Sequence, residues 1–329
     1  MDGSLGIGFE LLPNGAFSKK NMLLQIHLDS SSLNDFKICP RRYYLSIVYG
    51  FQPAQESVHL TFGIALHRAV ELYWTYRLDR QMPHRDAMVE VVRETLKATW
   101  DYNLNRPWQS DDKAFKIKNR YTLVRTIVWY LDKYQNDPVQ VVRVGNDDRL
   151  AVELPFRLGT GYKSATTGEE FVLCGRLDRI GELNGARYVT DVKSTGHTLS
   201  EYWFAKFTPD NQFTIYTIAA RSVFGVDTTG ILVDACQVVQ SFSEFQRGVV
   251  SRSDEQLNRW HHDLAFFLEQ LEKCAYDDDW PQNDSACGMY GGCPFRQVCS
   301  ATSANSRELI LRREYKRRVW DPTFERMDY

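Results

Sequence analysis

The chain has 329 residues, of which 43% are hydrophobic and 25% charged, a composition typical of a globular protein with a substantial core. We find no run of 18 or more apolar residues and no secretory leader, which predicts a cytoplasmic, reducing compartment and no membrane partner. A net charge of −2 gives no overall attraction to nucleic acid, so such binding would depend on local basic stretches such as 111–125 and 312–320.

The N-terminal half of the chain is predicted to be mostly helical. Residues 1–27 show weak patterning and fit an extension or an early strand. A helix is expected to start at Ser31 or Ser32 with Asp35 as the capping-box partner, and Pro40 should end or kink it. Apolar residues then recur at helical spacing in 61–78, 87–100 and 121–134.

The pattern changes to strands after Pro138. Residues 149–158, 171–183 and 186–195 are rich in strand formers, and Asn184-Gly185 between the last two is a strong hairpin signal. A helix at 208–225, a strand at 230–240 and a helix at 254–275 follow. This order predicts an α/β (α+β) fold with a compact mixed sheet and a helix packed on it.

Two acidic residues and a lysine are the first candidates for chemistry. Asp191 and Lys193 lie two apart in a predicted strand and therefore share a face, and the hairpin can bring Asp178 beside them. Burying two carboxylates with a lysine is costly unless something compensates, and a divalent cation with a phosphate facing the lysine would do so. The alternative is a solvated polar face, which the apolar flanks make less favourable.

Further polar residues accompany this group. Gln212 and Tyr216 lie four apart on the next predicted helix and so share a face. Glu153 supplies a carboxylate from the first strand. His67 follows Gly63 by about one helical turn; taken alone, it would more often be a structural histidine.

Together these residues carry a resemblance to a known family. The motifs Gly63-x-x-x-His67, Glu153, Gly175-x-x-Asp178, Asp191-x-Lys193 and Gln212-x-x-x-Tyr216 occur in an order that resembles the PD-(D/E)XK nuclease superfamily. More narrowly, they are similar to the RecB-type nucleases, including AddB-like, CRISPR-associated and phage exonucleases. The resemblance covers about 30–300 and implies a restriction-endonuclease-like central mixed sheet flanked by helices, with a helical insertion.

The resemblance implies a role for each residue. His67, Asp178 and Asp191, with the backbone carbonyl of Val192, resemble the ligands of a catalytic Mg²⁺ or Mn²⁺. Lys193 resembles the residue that activates the attacking water, and Gln212 and Tyr216 resemble the pair that positions it. Glu153 resembles either a second-metal ligand or a carboxylate that supports the first ligands. This chemistry agrees with what phosphodiester hydrolysis requires, because a hard divalent ion activates water and stabilises developing charge.

Seven cysteines in a reducing compartment argue against a disulfide framework. Cys174, Cys236 and Cys274 are expected to be packing residues. The resemblance implies that Cys39 joins three cysteines downstream, Cys287, Cys293 and Cys299, as four ligands of a [4Fe-4S] cluster, with Zn²⁺ or no metal as alternatives. Such an iron-sulfur clasp, joining the N- and C-terminal segments, would remove on the order of 5 kcal/mol of unfolded-chain entropy.

The residues next to Cys39 are candidates for binding DNA. Arginines bind phosphates and aromatic rings stack on bases, so Arg41, Arg42, Tyr43 and Tyr44 suit a single strand; the alternative is that both tyrosines are core residues and both arginines are solvated. The predicted segments are 1–55 with the first cysteine, 56–140 with His67, 141–275 as nuclease core, and 276–329 with the cysteines and a basic tail, folded as one intertwined unit.

These observations predict a metal-dependent DNA nuclease. An exonuclease acting on single-stranded DNA or DNA ends is favoured, in recombination, repair or phage replication and with partner proteins from those processes. One alternative is a non-catalytic DNA-binding scaffold of a recombination complex. Another is an endonuclease of the same superfamily, which would give no reason for the four cysteines.

Overall fold

The computed structural model describes residues 24–55, 57–289 and 292–322. Within these ranges the α-helices are α1 (Ser30–Ile38), α2 (Pro40–Tyr43), α3 (Val58–Leu78), α4 (His84–Ala98), α5 (Arg120–Lys133), α6 (Glu201–Ala205), α7 (Asn211–Ser222), α8 (Asp254–Asp277), α9 (Arg296–Cys299) and α10 (Ala304–Glu314). The strands are β1 (His27–Leu28), β2 (Phe51–Pro53), β3 (Trp100–Asp101), β4 (Arg106–Pro107), β5 (Gln140–Val141), β6 (Arg143–Val144), β7 (Arg149–Leu150), β8 (Val152–Lys163), β9 (Glu170–Leu183), β10 (Ala186–Thr195), β11 (Thr228–Val238), β12 (Ser243–Ser251) and β13 (Tyr315–Arg317). The longer ones are β8 to β12.

These elements form two compact units, each built from separate stretches of chain. We call the described residues of 56–156 and 176–254 the carboxylate unit, and those of 1–55, 157–175 and 255–329 the cysteine unit. The folding of all four predicted segments as one intertwined unit stays a prediction. Of the predicted N-terminal extension or early strand, residues 1–23 lie outside the described residues, and His27 begins β1.

A mixed sheet forms the centre of the carboxylate unit. β9 and β10 make an antiparallel hairpin whose turn residues, Asn184 and Gly185, both have positive φ, as a tight type I′ turn requires. β10 and β11 are parallel, and α6 and α7 form the crossover between them. β12 then returns antiparallel to β11. The predicted mixed α/β sheet flanked by helices is confirmed.

Helices cover both faces of this sheet. On one face α3, α4 and α5 pack into a core that includes Phe62, Leu66 and Tyr73 of α3 and reaches Val192 and Cys236 of the sheet. Since side chains alternate along a strand, Asp191 and Lys193 point to the other face, where Lys193 meets α7. The apolar stripe read from 61–78 is thus the buried side of α3.

The cysteine unit differs from the prediction at the start of α1. Asp29, not Ser31 or Ser32, is the N-cap: its Oδ1 accepts the N–H of Ser32 at 2.6 Å, and the Ser32 hydroxyl accepts the N–H of Asp29 at 2.9 Å. Asp35 is not part of the capping box; its carboxylate accepts a hydrogen bond from the Ser46 hydroxyl at 2.9 Å. The capping box is real but lies three residues earlier, because an aspartate caps as well as a serine.

Two of the longer elements that were not predicted from the sequence are β12 and α10. The sequence of β12 contains serines, Glu244 and Arg247 and lacks a strong strand pattern. This strand forms because it pairs with β11 along a long antiparallel ladder. α10 lies in a segment read only as a basic tail. Its N-cap is Ser303, whose hydroxyl accepts the N–H of Ser306 at 3.1 Å. A serine in this position is a local signal for the start of a helix.

Candidate active site

The candidate site lies where two neighbouring strands separate. The antiparallel register of β9 and β10 joins residues 179–183 to 186–190 and includes the pair Arg179 and Thr190. Just beyond it, the backbone N–H of Val192 donates to Asp178 Oδ2 at 3.2 Å. The Asp178 carboxylate thus replaces a strand carbonyl as the acceptor of this N–H. It lies beside Asp191 at the point where β9 and β10 separate, which we call the strand fork.

His67 reaches this fork from α3. Its Nδ1 lies 2.7 Å from Asp178 Oδ2. Burial alone would lower the pKa of His67, but the charge of Asp178 and the hydrogen bond outweigh it and raise the pKa above its usual value. Burial would raise the pKa of Asp178, yet His67 and Lys193 hold it below the ordinary range. The two side chains therefore stabilise each other in their charged forms.

Lys193 connects the carboxylates to α7. Its Nζ donates to Asp191 Oδ1 at 3.0 Å and to Gln212 Oε1 at 2.9 Å. Gln212 in turn donates its amide to the Tyr216 hydroxyl at 2.9 Å, as the spacing of four on one helix face predicted. Burial would lower the pKa of Lys193, but Asp191 and Asp178 raise it above its ordinary value, so the ammonium stays charged.

Asp191 has one oxygen available for a cation. Burial raises the pKa of this fully buried carboxyl to about 6, with Lys193 acting in the opposite direction. Lys193 Nζ also lies 2.8 Å from Oδ2, as an ion-pair contact, and this oxygen accepts no hydrogen bond from the described residues. This buried oxygen thus faces an ammonium without a well-aligned hydrogen bond, and a bound cation in the ammonium's place would satisfy it. Carboxylate and imidazole donors suit Mg²⁺ or Mn²⁺.

The metal fit rests on donor chemistry and not on a finished coordination sphere. In the described part of the chain, no three His, Cys, Asp or Glu side chains converge as a ready metal site. Two candidate ligands are instead held by protein partners, His67 by Asp178 and Asp191 by Lys193.

Glu153 lies at the same site in an unusual backbone conformation. It lines a cleft of about 280 Å³ together with His67 and Asp178. Its φ of 50° is in the left-handed region, which costs a non-glycine residue on the order of 1 kcal/mol or more. An Arg176 ion pair at 3.5 Å accompanies it. Such strain is typical of positions where a side chain must be aimed at a ligand.

Glu71 is a carboxylate that the sequence analysis missed. It follows His67 by four residues on α3 and lines the same cleft. Arg68 binds its Oε1, whereas Oε2 is buried and has no hydrogen-bond partner among the described residues. The signal was present as His67-x-x-x-Glu71, two ligand-type residues on one helix face.

The four predicted cluster cysteines meet in the cysteine unit. Cys39, Cys287, Cys293 and Cys299 all line one small cavity. The backbone N–H of Asn283 donates to Cys39 Sγ at 3.4 Å. Burial raises the pKa of Cys293 and Cys299, while hydrogen bonds from the Phe295 backbone and the Gln282 side chain act to lower it. Thiols from residues 39 and 287–299 therefore line one pocket, and one of them already accepts an N–H hydrogen bond.

The other cysteines are placed as predicted or nearly so. Cys174 and Cys236 are buried packing residues, and Cys274 is half-buried on α8. All seven cysteines are free thiols.

The predicted stacking surface at Tyr43 and Tyr44 is wrong. Both rings are buried, at 0% and 5% exposure, and both stack on Trp280. Arg41 Nε donates to the Trp280 carbonyl at 2.7 Å, and Arg42 pairs with Asp35 at 2.8 Å. The tyrosines are core residues because burial of their large aromatic rings stabilises the fold. Rings buried in this way cannot stack on DNA bases.

The basic stretch at 111–125 is largely used inside the protein. Lys118 donates to the Ser194 hydroxyl at 2.9 Å, and Arg125 donates to the carbonyls of Val239, Gln240 and Phe242. A run of charge in the sequence thus becomes a set of internal contacts. Of the described helices, none combines the length and the apolar character that crossing a membrane would need.

Comparison with known proteins identifies the family. The sequence matches the model of the PD-(D/E)XK nuclease superfamily over residues 27–300. The chain therefore belongs to the PD-(D/E)XK nuclease superfamily, and the class of reaction is hydrolysis of phosphodiester bonds. Nucleases of this superfamily typically use Mg²⁺ or Mn²⁺, in agreement with the donors at the strand fork.

Two solved structures are similar to this chain. The crystal structure of an Eubacterium rectale protein named "Putative exonuclease" shares 10% identity, with 85% of this chain and 92% of that chain covered and a TM-score of 0.44. The crystal structure of SSO0001 shares 12% identity, with 87% and 89% covered and a TM-score of 0.31. The sequence matches none of the curated proteins.

Proposed function

We propose that this protein is a Mg²⁺- or Mn²⁺-dependent deoxyribonuclease of the RecB/AddB-like branch, acting as an exonuclease on single-stranded DNA or DNA ends. One observation carries the proposal: two series of contacts meet at the strand fork. His67 pairs with Asp178, which accepts the backbone N–H of Val192, and the neighbouring Asp191 binds Lys193, which continues to Gln212 and Tyr216. A protein that only bound DNA would have no need for these converging ionisable groups.

His67, Asp178 and Asp191, with the carbonyl of Val192, would hold the divalent ion. When bound, that ion supplies an activated water and stabilisation of charge on the phosphate. Glu153 and Glu71 lie in the same cleft and would support the ion or its waters.

Lys193 would act on the water and the phosphate. Its ammonium is held by Asp191 and Gln212, and Tyr216 fixes Gln212 in turn. A group so held is preorganised and needs little reorientation when the substrate arrives. Because Lys193 stays charged, its part is to orient the water and to stabilise negative charge on the phosphate oxygens.

The same proposal extends to the cysteine cavity. Four thiols lining one pocket, with an N–H donor already on Cys39, suit a [4Fe-4S] cluster, with tetrahedral Zn²⁺ as the second possibility. We infer a structural clasp that joins position 39 to positions 287–299. Anaerobic purification followed by absorbance, iron, sulfide and zinc analysis tests it; a colourless protein with stoichiometric zinc would end the iron-sulfur assignment.

The activity is tested with end-labelled single-stranded, duplex and circular DNA in Mg²⁺ or Mn²⁺. We expect linear substrates to be degraded from their ends and the circle to survive. Lys193→Ala should abolish most cleavage and leave DNA binding largely intact. Cutting of the circle would indicate an endonuclease, and parental cleavage by Lys193→Ala would show that the site is wrongly assigned.

The proposed setting is recombination, repair or phage replication, with partner proteins from those processes. It follows from the RecB/AddB-like branch and from a substrate with free ends. Degradation of resected or single-stranded ends in the assay above would support this setting, whereas preference for intact circular duplex would argue against it.

A further inference from the structure

The cavity that holds the four cysteines carries an unusual balance of charge. Besides Cys39, Cys287, Cys293 and Cys299, two arginines line it, Arg42 and Arg296, and no aspartate or glutamate does so among the described lining residues. Four neutral thiols would not need two cations beside them. The lining is therefore electrostatically suited to a group with net negative charge.

Arg42 is held in place from outside the cavity. Its Nη2 lies 2.8 Å from Asp35 Oδ1, and Asp35 in turn accepts the hydroxyl of Ser46. Arg42 Nε, by contrast, is buried and has no hydrogen-bond partner among the described residues. An unpaired buried N–H costs on the order of 1–3 kcal/mol, so this donor is expected to have an acceptor when the site is complete.

Thiolate coordination would provide both the charge and the acceptor. A divalent ion or a [4Fe-4S]²⁺ core bound by four thiolates carries a formal charge of about −2, which two arginines can offset. The sulfurs of such a centre accept N–H hydrogen bonds. Cys39 already has such a donor in the backbone N–H of Asn283, which lies 3.4 Å from its Sγ.

We propose that Arg42 is a positioning residue of the four-cysteine centre: its Nε–H donates to a ligand sulfur, and together with Arg296 it balances the negative charge of the bound metal. The inference rests on the proposed metal centre and replaces the DNA-binding role predicted for Arg42. Arg42 lies three residues after Cys39, and from this position its side chain contacts the metal centre and not the DNA.

The test compares Arg42→Met, Arg42→Lys and wild type as full-length protein purified without oxygen. The readouts are metal and sulfide per chain, the rate of metal loss to a chelator, and, if iron is present, the midpoint potential of the centre. We expect Arg42→Met to lose metal about 10-fold faster or more, as is usual for residues that support metal ligands. Its potential should be more negative, because reduction would add charge without compensation.

Arg42→Lys keeps the charge but not the Nε–H, so its rate of metal loss should lie between those of the other two proteins. It also covers the case in which Arg42→Met does not fold. Arg313→Met on α10 is the matched control for loss of one exposed arginine in the same unit and should behave like wild type. Cys39→Ala defines complete loss of the centre.

Two outcomes overturn the inference while leaving the metal centre in place. One is metal loss and midpoint potential equal to wild type in Arg42→Met. The other is a wild-type rate in Arg42→Lys, which would show that the Nε hydrogen bond is not used. A wild-type protein without metal would instead refute the proposed centre itself, and with it this inference.

Discussion

The two polar sites of this protein are built from opposite chemistry. The fork in the carboxylate unit gathers oxygen and imidazole donors around a lysine, and each of its carboxylates is paired with a basic side chain. The cavity in the cysteine unit gathers four thiols with two arginines and no acid among its described lining residues. Hard donors select Mg²⁺ or Mn²⁺, whereas thiolates select zinc or iron-sulfur clusters. We therefore expect each unit to prefer its own class of metal, and the metal of one unit to be removable without loss of the metal in the other.

The largest effect is expected for Asp191→Asn. It removes a buried carboxylate at the fork, together with the charge that holds Lys193. Since a metal ion supplies several kcal/mol of stabilisation to the transition state, cleavage should fall by about 10³-fold or more. Mn²⁺ binding by calorimetry should weaken in parallel, and metal at the cysteines should be unchanged. Normal cleavage would exclude Asp191 as a ligand.

The reverse experiment is Cys293→Ser, which should remove the metal of the cysteine unit. Loss of the clasp, worth on the order of 5 kcal/mol, should lower the melting temperature by about 10 °C. Mn²⁺ affinity at the fork should stay close to wild type. Cys274→Ser, a cysteine outside the cavity, is the control. If Cys293→Ser also abolished Mn²⁺ binding, the two sites would not be separable.

A smaller effect is expected for Glu71→Gln. If Glu71 Oε2 supports the ion, Mn²⁺ affinity should fall by about 10-fold, as for other residues that support metal ligands. Electron paramagnetic resonance of bound Mn²⁺ measures this directly. Glu94→Gln on the exposed side of α4 is the matched control. Unchanged affinity would leave Glu71 as a partner of Arg68 alone.

The smallest effect concerns stability. Lys118 is buried at 4% exposure, and burial lowers its pKa to about 8 from an ordinary value of 10.5. A base whose folded pKa is depressed destabilises the fold below that pKa, and the cost disappears as pH rises from about 8 to 10.5. Lys118→Met should therefore stabilise the protein at pH 7 by on the order of 2 kcal/mol.

The gain from Lys118→Met should shrink when urea unfolding is repeated near pH 10. Lys116→Met, at an exposed neighbouring position, should change little at either pH. A gain that is equal at both values would mean that lost packing or hydrogen bonds, and not protonation, account for the change.

Much of the carboxylate site could be predicted from sequence because its parts are local. A period of two places Asp191 and Lys193 on one face, a spacing of four pairs Gln212 with Tyr216, and Asn184-Gly185 sets the hairpin. Glu71 was missed because a glutamate on an amphipathic helix is common, and only the cleft shows that its second oxygen is buried. The role of each residue stays a prediction.

The sequence by itself determined the type of most of the longer elements and the order of the motifs. Only the tertiary structure decided which side chains are buried and which are exposed to solvent. Tyr43 and Tyr44 look like a stacking surface in one dimension but are buried against Trp280, which follows them by more than 230 residues. Arg42 likewise changes from a candidate for DNA binding to a neighbour of the cysteines. The physical reason is that burial depends on contacts between distant segments, whereas periodicity and turn chemistry act within a few residues.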